Sequence, residues 1–311
     1  MFAVVGEALV DLVGQRGGRT FTAHPGGSPA NVALGLARLG DPVTLTTRLG
    51  RDAFGQLITS HLEASGVVVD GGPDPRANTS LAIATLAAGM ASYDFRIEWD
   101  VGDLPPLPLE TRCLHTGSLA TVLPPGDKAV IDLVRRERER SQVTISYDPN
   151  VRPALLGDAE GARPGIEGLV AVSDVVKVSD EDLDWLYPGE RIEDVAGRWL
   201  ATGPVLVVVT CAGAGVYAVS RRLESRRPAV PMDLLDTVGA GDSYTAGLLD
   251  GLRRADLVGG RRRDALAAAD ESTLISILDR AALIAAITCS RSGADPPTRA
   301  EVDAVLALRR W

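Results

Sequence analysis

The sequence predicts an α/β fold in which helices cover both faces of a mainly parallel central sheet. Short apolar, β-branched runs alternate with helical patterns along most of the 311 residues, and such alternation is typical of parallel sheets. Val205–Val209 consists of five apolar, β-favouring residues, as expected of a strand that is covered on both faces. A pair of alternating strands stands outside this rhythm and predicts a small additional sheet.

The first quarter of the chain predicts a strand, a helix, a strand and a second helix. Met1–Val5 is a short apolar run of the kind that forms a buried strand. Ser28–Leu39 has apolar residues spaced for one helical face. Pro42–Leu49 is strand-like, and Asp52–Ala64 predicts a helix with Asp52 as its N-cap.

Two β-like runs, Thr79–Leu86 and Ser92–Trp99, predict a hairpin around Ala87-Ala88-Gly89. The second run alternates Tyr93 and Phe95 with polar residues, which places its aromatic side chains on one face. A hairpin that is separate from the main alternation predicts a small sheet able to act as a lid.

The remaining chain resumes the alternation of strands and helices. Strands are predicted at Arg112–His115, Val143–Tyr147, Val175–Val178, Val205–Val209 and Val216–Val219, and helices at Gly126–Arg140, Asp182–Leu186, Arg191–Leu200, Ala240–Leu252, Leu274–Ile287 and Arg299–Leu308. Arg253–Ala269 has the weakest pattern and predicts a solvated loop with a short helix.

Composition excludes several classes of protein. The net charge of −9 and pI of about 5.0 disfavour binding to nucleic acid, whose phosphates an acidic chain repels. The three cysteines are far apart in the sequence, which fits a reducing cytoplasm. The N-terminus lacks a basic signal region, and no uncharged apolar run reaches the roughly 18 residues of a membrane helix. We therefore expect a cytoplasmic protein without a membrane partner.

The segment DTVGAGDSYTAG at 236–247 carries the strongest chemical signal. Small residues at Gly239, Ala240 and Gly241 allow close backbone approach to a ligand, and their N–H groups precede a predicted helix, which is a site for anions. Asp242 at the same point could accept a hydroxyl proton while the N–H groups hold a phosphoryl group. The alternative is that Asp242 only interacts with the helix dipole.

A second segment, GGSPANVA, places Gly26 and Gly27 before the first predicted helix and Asn31 in its first turn. The paired glycines permit close contact with a polar ligand, and Asn31 offers both a donor and an acceptor. Taken alone, a loop followed by a capped helix would account for the same residues.

Together these two segments, about 200 residues apart, resemble the two signatures of the ribokinase-like (PfkB) kinases. The resemblance implies a three-layer ribokinase-like fold, with residues 1–311 as one domain and a β lid formed from about 10–24 and 77–101. It implies an ATP-dependent kinase that phosphorylates a hydroxyl group, with Asp242 as general base and Gly239, Ala240 and Gly241 as the anion hole.

Further motifs carry the resemblance to the sugar side of the site. GEALVD resembles the first strand of the fructokinase branch, which implies that Asp11 binds sugar hydroxyls together with Gly26, Gly27, Asn31 and the lid residue Phe95. DPNVR resembles the DxNxR stretch of sugar kinases and implies that Arg152 faces the substrate or the transferred phosphate. Asp11 as an ordinary loop acid and Arg152 as a surface ion-pair residue are the alternatives.

The nucleotide side follows from the same resemblance. In KVSDED, Lys177 implies a nucleotide contact, but Ser179 and Asp182 stand where many relatives have Asn-x-x-Glu. Asp182 is thus expected to hold Mg²⁺ through water, unless a different register brings in Glu181. The further residues implied are Thr210, Gly213 and Gly215 for ATP, and Asp236 and Val238 for a monovalent cation such as K⁺.

Other functions and substrates remain alternatives. The residues 213–218 read as GxGxxA after a strand, but the dinucleotide fingerprint requires a helix next, and a strand pattern follows instead. Among sugar kinases the fructokinase branch is favoured, with 2-keto-3-deoxygluconate, ribose and nucleoside kinases as alternatives. A binding protein that has lost catalysis is the alternative of another class.

An exposed edge of the lid favours a homodimer.

Overall fold

The computed structural model describes residues 1–87 and 90–308. Its strands are β1 Phe2–Val5, β2 Leu9–Gln15, β3 Phe21–Gly26, β4 Val43–Thr46, β5 Leu49–Gly50, β6 Val68–Asp70, β7 Pro73–Asp74, β8 Ser80–Ala87, β9 Met90–Arg96, β10 Cys113–Gly117, β11 Thr144–Asp148, β12 Val175–Ser179, β13 Leu206–Thr210, β14 Val216–Ser220 and β15 Glu224–Arg227. Its α-helices are α1 Ser28–Arg38, α2 Ala53–Glu63, α3 Gly126–Arg140, α4 Pro153–Leu156, α5 Ala159–Val172, α6 Asp180–Leu186, α7 Ile192–Thr202, α8 Ala240–Arg254, α9 Arg263–Ala268, α10 Glu271–Cys289 and α11 Arg299–Leu308.

The central sheet has nine strands in the order β15-β14-β13-β12-β11-β10-β1-β4-β6. Strands from β13 to β6 in this order are parallel, and β14 and β15 extend the sheet as antiparallel strands. The carboxyl ends of β1 and β10 to β13 therefore meet at one edge, which is where open α/β sheets bind their ligands.

Helices cover both faces of this sheet, as the sequence predicts. One face presents Leu114, Ile145 and Val176 to a core that contains side chains of α3, α5 and α7. The opposite face buries Val4 and Val208 against α1, α8 and α10. The result is the predicted three-layer architecture, in which apolar strands are covered from both sides.

A second sheet has four strands in the order β3-β2-β8-β9, and β5 pairs separately with β7. The predicted hairpin is present, because β8 and β9 are antiparallel neighbours, although its turn at Ala88-Gly89 and the side chain of Tyr93 lie outside what the structure describes. Trp99 was predicted at the end of a strand but lies beyond β9. It is buried, and its indole Nε1 donates to the Ala120 carbonyl at 3.0 Å.

Helix α10 is long and apolar enough to cross a membrane by length and composition alone. It nevertheless contains Glu271, Asp279 and Arg280, and half of its most apolar stretch is buried within the protein. It packs along α8 through residues that include Leu278 and Ala281. These contacts are those of a core helix.

Candidate active site

Helix α8 begins at the edge where the parallel strands end, and its first turn carries Asp242. Gly239 precedes the helix with φ of 74°, a left-handed conformation that glycine adopts without strain. The N–H of Ala240 donates to the Thr237 carbonyl at 3.2 Å. Within residues 1–87 and 90–308, the N–H groups of Gly239, Gly241 and Asp242 have no such partner. N–H groups left without partners at a helix N-terminus are suited to bind an anion.

The carboxylate of Asp242 is held by two donors from the start of α1. Ser28 Oγ donates to its Oδ1 at 2.7 Å, and Asn31 Nδ2 donates to its Oδ2 at 2.9 Å. Because a carboxylate accepts about four hydrogen bonds, it keeps capacity for a hydroxyl group of a ligand. Asn31, expected on the sugar side, thus also orients Asp242, and Ser28 is a site residue that the sequence analysis missed.

A buried ammonium group lies beside the anion site. Lys177 on β12 contacts Asp148 at the end of β11, with 3.0 Å between Nζ and Oδ2, and both side chains are almost fully buried. A Cβ placed on Gly241 would lie 2.9 Å from Lys177 Nζ, so this ammonium lies directly against the start of α8. The geometry directs a fixed positive charge to the place where the N–H groups converge.

The charge states of this pair follow from burial and from neighbouring groups. Burial alone would lower the pKa of Lys177, but the carboxylates of Asp148, Asp182 and Asp242 outweigh it and raise that pKa. Burial raises the pKa of Asp148 to about 6, although Lys177 opposes the increase. At neutral pH the pair is therefore ionised.

Asp11 and the two glycines form a second corner of the site. A Cβ on Gly26 would lie 2.2 Å from Asp11 Oδ2, and one on Gly27, whose φ is 101°, would lie 2.5 Å from the Glu7 carbonyl oxygen. Burial raises the pKa of Asp11 to about 6, against the charges of Arg152 and His24, while Asp242 acts in the same direction as burial. The two signature segments and Asp11 are therefore close enough to interact.

Two other predicted sugar-side residues lie around this corner. Arg152 is exposed, and its Nη1 donates to Asn150 Oδ1 at 2.8 Å and to the Val151 carbonyl at 3.0 Å. Burial raises the pKa of Asp11 and of Glu7, and the charge of Arg152 opposes both increases, which places the guanidinium near both acids. Phe95 on β9 is half-buried and lies in the same row of the four-stranded sheet as Asp11, since both residues pair in register with Ala82.

Asp182 occupies the register predicted for the magnesium residue, since it is buried whereas Glu181 is exposed. Its Oδ1 accepts the Val151 N–H at 2.9 Å, and its Oδ2 accepts the Ser179 N–H at 3.3 Å in a capping box that begins α6. The described residues contain no group of three or more potential metal-binding side chains.

These residues fit a magnesium ion that is held through water rather than in a protein cage. Asp148 Oδ1 is buried and has no hydrogen-bond partner among the described atoms, which leaves it free to accept from a water molecule of such an ion. Mg²⁺ bound to nucleotide phosphates usually keeps several waters and few carboxylate ligands.

The predicted nucleotide loop connects β13 to β14 at the same edge. Thr210 pairs in register with Ser179, Gly213 is exposed, and Gly215 has φ of 91° with no room for a Cβ beside the Arg227 carbonyl. Gly215 is thus required by the turn itself. The strand β14 follows, not a helix, so the dinucleotide alternative is wrong.

Asp236 ties together the loops that were expected to hold a monovalent cation. Its Oδ1 accepts the Val238 N–H at 3.0 Å, and its Oδ2 accepts the Gly293 N–H at 2.7 Å. Both contacts lower the pKa of Asp236 against the effect of burial. An ionised anchor of this kind fits a cation bound by the adjoining backbone carbonyl groups.

The fold and this arrangement of a carboxylate, a cradle of N–H groups and a buried ammonium are those of a small-molecule phosphotransferase. The family model for pfkB family carbohydrate kinases matches residues 1–301. A fructokinase of Rhizobium leguminosarum bv. trifolii is 34% identical over 286 residues, covering 88% of this chain and 85% of that protein. The chain belongs to the pfkB family of carbohydrate kinases.

Other relatives agree with this assignment. A fructokinase of Klebsiella pneumoniae is 34% identical over 258 residues, which cover 80% of this chain and 83% of that protein. The structure of a fructokinase with bound ATP from Xylella fastidiosa superposes with a TM-score of 0.87 at 27% identity, covering 100% of this chain and 99% of the other. The ribokinase-like fold expected from the sequence is thereby confirmed.

Proposed function

We propose that this protein is an ATP-dependent sugar kinase that transfers the γ-phosphoryl group to a hydroxyl group of a neutral sugar, with fructose as the first candidate. The observation that carries the proposal is the position of Asp242, fixed by Ser28 and Asn31 beside the free N–H groups of α8 and the Lys177 ammonium. An acid, an anion site and a fixed cation at one point are what phosphoryl transfer to an alcohol requires.

The charges on the sugar side favour a neutral sugar over a sugar acid. Asp11, Glu7 and Asp242 are carboxyl groups, and the charges that oppose them belong to Arg152 and His24. A 2-keto-3-deoxygluconate molecule would bring a further carboxylate to this acidic corner. Fructose carries hydroxyl groups and no carboxylate, and Asp11 could accept two hydrogen bonds from those hydroxyl groups. The fructokinases among the relatives support the same preference.

In the proposed reaction the sugar lies between Asp11, Gly27 and Asn31, with one hydroxyl directed at Asp242. The Asp242 carboxylate takes the hydroxyl proton as the sugar oxygen forms its bond to the γ-phosphorus. The bond from that phosphorus to its bridging oxygen breaks, and ADP leaves. The N–H groups of Gly239 and Gly241 and the Lys177 ammonium stabilise the charge on the transferred group, with Arg152 alongside.

The nucleotide is proposed to lie along the loops after β12 and β13. Thr210, Gly213 and Gly215 would border its phosphates and ribose. Asp182 and Asp148 would hold Mg²⁺ through water, and the ion would supply charge neutralisation on the phosphates. Potassium would occupy the loops that Asp236 and Val238 anchor.

The four-stranded sheet is proposed to act as a lid on a single domain. It carries Asp11 on β2 and Phe95 on β9, so its closure over the sugar would exclude water and suppress hydrolysis of ATP. Its edge strands β3 and β9 favour pairing with a second copy, which gives a homodimer as the expected assembly. A cytoplasmic location agrees with the composition.

The direct test is release of ADP from Mg·ATP with a panel of fructose, ribose, 2-keto-3-deoxygluconate and nucleosides, with and without K⁺. Strong stimulation by fructose supports the proposal, whereas stimulation by the sugar acid alone contradicts the charge argument. Asp242→Asn preserves size and should keep the fold while lowering kcat by about 10²–10⁴, the usual contribution of a general base. Nearly normal turnover in that variant would refute the assignment of the base.

A further inference from the structure

Helix α1 contacts Asp242 at one end and residues 295–296 at the other. Its first turn supplies Ser28 and Asn31 to Asp242, and its last residue is Arg38. The helix has 11 residues and thus spans roughly 16 Å. Arg38 is consequently too far from Asp242 to act on it directly.

Arg38 is engaged with a segment from the end of the chain. Its Nη1 forms an ion pair with the Asp295 carboxylate and also donates to the Pro296 carbonyl at 2.6 Å. Its Nε donates to Ser65 Oγ at 3.4 Å. With 20% of its side chain exposed, Arg38 fixes the position of residues 293–296 relative to α1.

Residues 293–296 lie directly behind the anion site. A Cβ placed on Gly239 would lie 2.6 Å from Ala294 Cβ, so the two residues are in close contact. The Gly293 N–H donates to Asp236 Oδ2 at 2.7 Å, three residues before Gly239. Any displacement of this segment would therefore move the backbone that offers the Gly239 N–H.

The middle of α1 leaves little room for the helix to shift on its own. A Cβ on Gly35 would lie 2.7 Å from Ala246 Cβ on α8 and 3.8 Å from Pro296 Cβ. Helix α1, the start of α8 and residues 293–296 therefore form one closely packed unit.

We propose that Arg38 is a positioning residue that couples the sugar-binding start of α1 to the nucleotide side of the anion site. Sugar bound at Gly26, Gly27 and Asn31 restrains the position of α1. The ion pair between Arg38 and Asp295 then restrains the backbone at Gly239. By linkage, each ligand then strengthens the binding of the other by the same factor. This inference rests on the proposed kinase function.

Calorimetric titration of fructose, with and without a saturating nonhydrolysable ATP analogue and Mg²⁺, measures the coupling. In the unchanged protein we expect the analogue to lower the Kd for fructose at least about fivefold. In Arg38→Met the factor should fall below about twofold, while the Kd for fructose alone stays unchanged. Arg38→Lys should restore part of the coupling, since an ammonium keeps the charge but not the planar geometry.

Arg112→Met is the matched control. Arg112 precedes β10, at the opposite edge of the sheet from the anion site, and it likewise pairs with an aspartate, Asp256 at 2.6 Å, and donates to a backbone carbonyl, that of Val258 at 2.7 Å. The Arg112→Met variant should retain the full coupling factor. Asp295→Asn removes the partner carboxylate and should reproduce the effect of Arg38→Met, which guards against a folding defect in either variant.

Kinetics give a second readout. Arg38→Met should raise the KM for ATP at saturating fructose and the KM for fructose at saturating ATP by similar factors, and it should lower kcat. Independent binding of the two ligands in the unchanged protein, or full coupling in Arg38→Met and Asp295→Asn, overturns the coupling. If the protein phosphorylates fructose but binds the two ligands independently, only this inference fails. If it neither binds nor turns over a sugar, the proposed kinase function fails.

Discussion

Replacing Lys177 by methionine removes the buried ammonium beside Gly241 and leaves Asp148 without its partner. At 3.0 Å and an effective dielectric constant of about 20, the attraction between the two charges is on the order of 5 kcal/mol. Breaking a buried pair by removing one partner typically costs about 3–5 kcal/mol. We expect a loss of unfolding free energy in that range.

The double variant Lys177→Met with Asp148→Asn separates stability from catalysis. It removes both charges, so most of the lost stability should return. Activity should not return, because the double variant lacks both the ammonium beside the phosphoryl group and the Asp148 carboxylate that is proposed to accept from a water of Mg²⁺. Loss of one fixed donor to a transition-state anion costs about 10²–10³ in kcat.

Urea unfolding and an assay of ADP release measure the two effects in parallel. The stability loss in Lys177→Met should increase as the pH rises above about 6, where the pKa of Asp148 already lies in the unchanged protein. If the double variant recovers kcat to within tenfold of the unchanged protein, Lys177 has only a structural role and the reasoning fails.

Three further changes test other parts of the site. Ser28→Ala removes a hydrogen bond to Asp242 and should lower kcat roughly tenfold or more with little change in KM; equal kcat would show that Asn31 alone suffices. Gly26→Ala should displace the Asp11 carboxylate and raise the KM for fructose at least tenfold at nearly unchanged Tm. An unchanged KM would contradict the assignment of Asp11 to sugar binding. Burial raises the pKa of Glu7 from 4.5 to about 7, so the native state binds this proton more tightly than the unfolded chain does. The free energy of unfolding should therefore fall by roughly 3 kcal/mol as the pH rises from 4.5 to 7. Glu7→Gln should abolish that loss in urea unfolding at pH 5 and 8, and parallel pH profiles of the two proteins would contradict it.

Much of the fold is readable from the sequence because its strands are covered on both faces. Such strands must be continuous apolar runs, and Val205–Val209 is one. Helix α5 was missed because Pro164 and three glycines disfavour a helix. Pro164 is exposed, and the buried residues Ile166, Leu169 and Val170 keep helical spacing, which was the available signal.

The candidate site was predictable from the sequence where a motif combines residue types that phosphate chemistry needs, as at Gly239 to Asp242. Ser28 was not, because its partner Asp242 is 214 residues away and a serine at a helix start has an ordinary local explanation. Glu7 was missed for a similar reason, since its contact with the Ala120 N–H spans 113 residues. Only the packed fold brings these segments together.

The connections between the two sheets have a consequence for changes of substrate. Gly26 ends β3 and Gly27 begins the turn into α1, so one junction of the proposed lid consists of residues that also lie against Asp11 and Glu7. With the four-stranded sheet acting as the proposed lid, substitutions at this junction that broaden the range of accepted sugars would also alter the opening rate of the lid. Evolution of a new acceptor would then have to balance recognition of the sugar against movement of the lid.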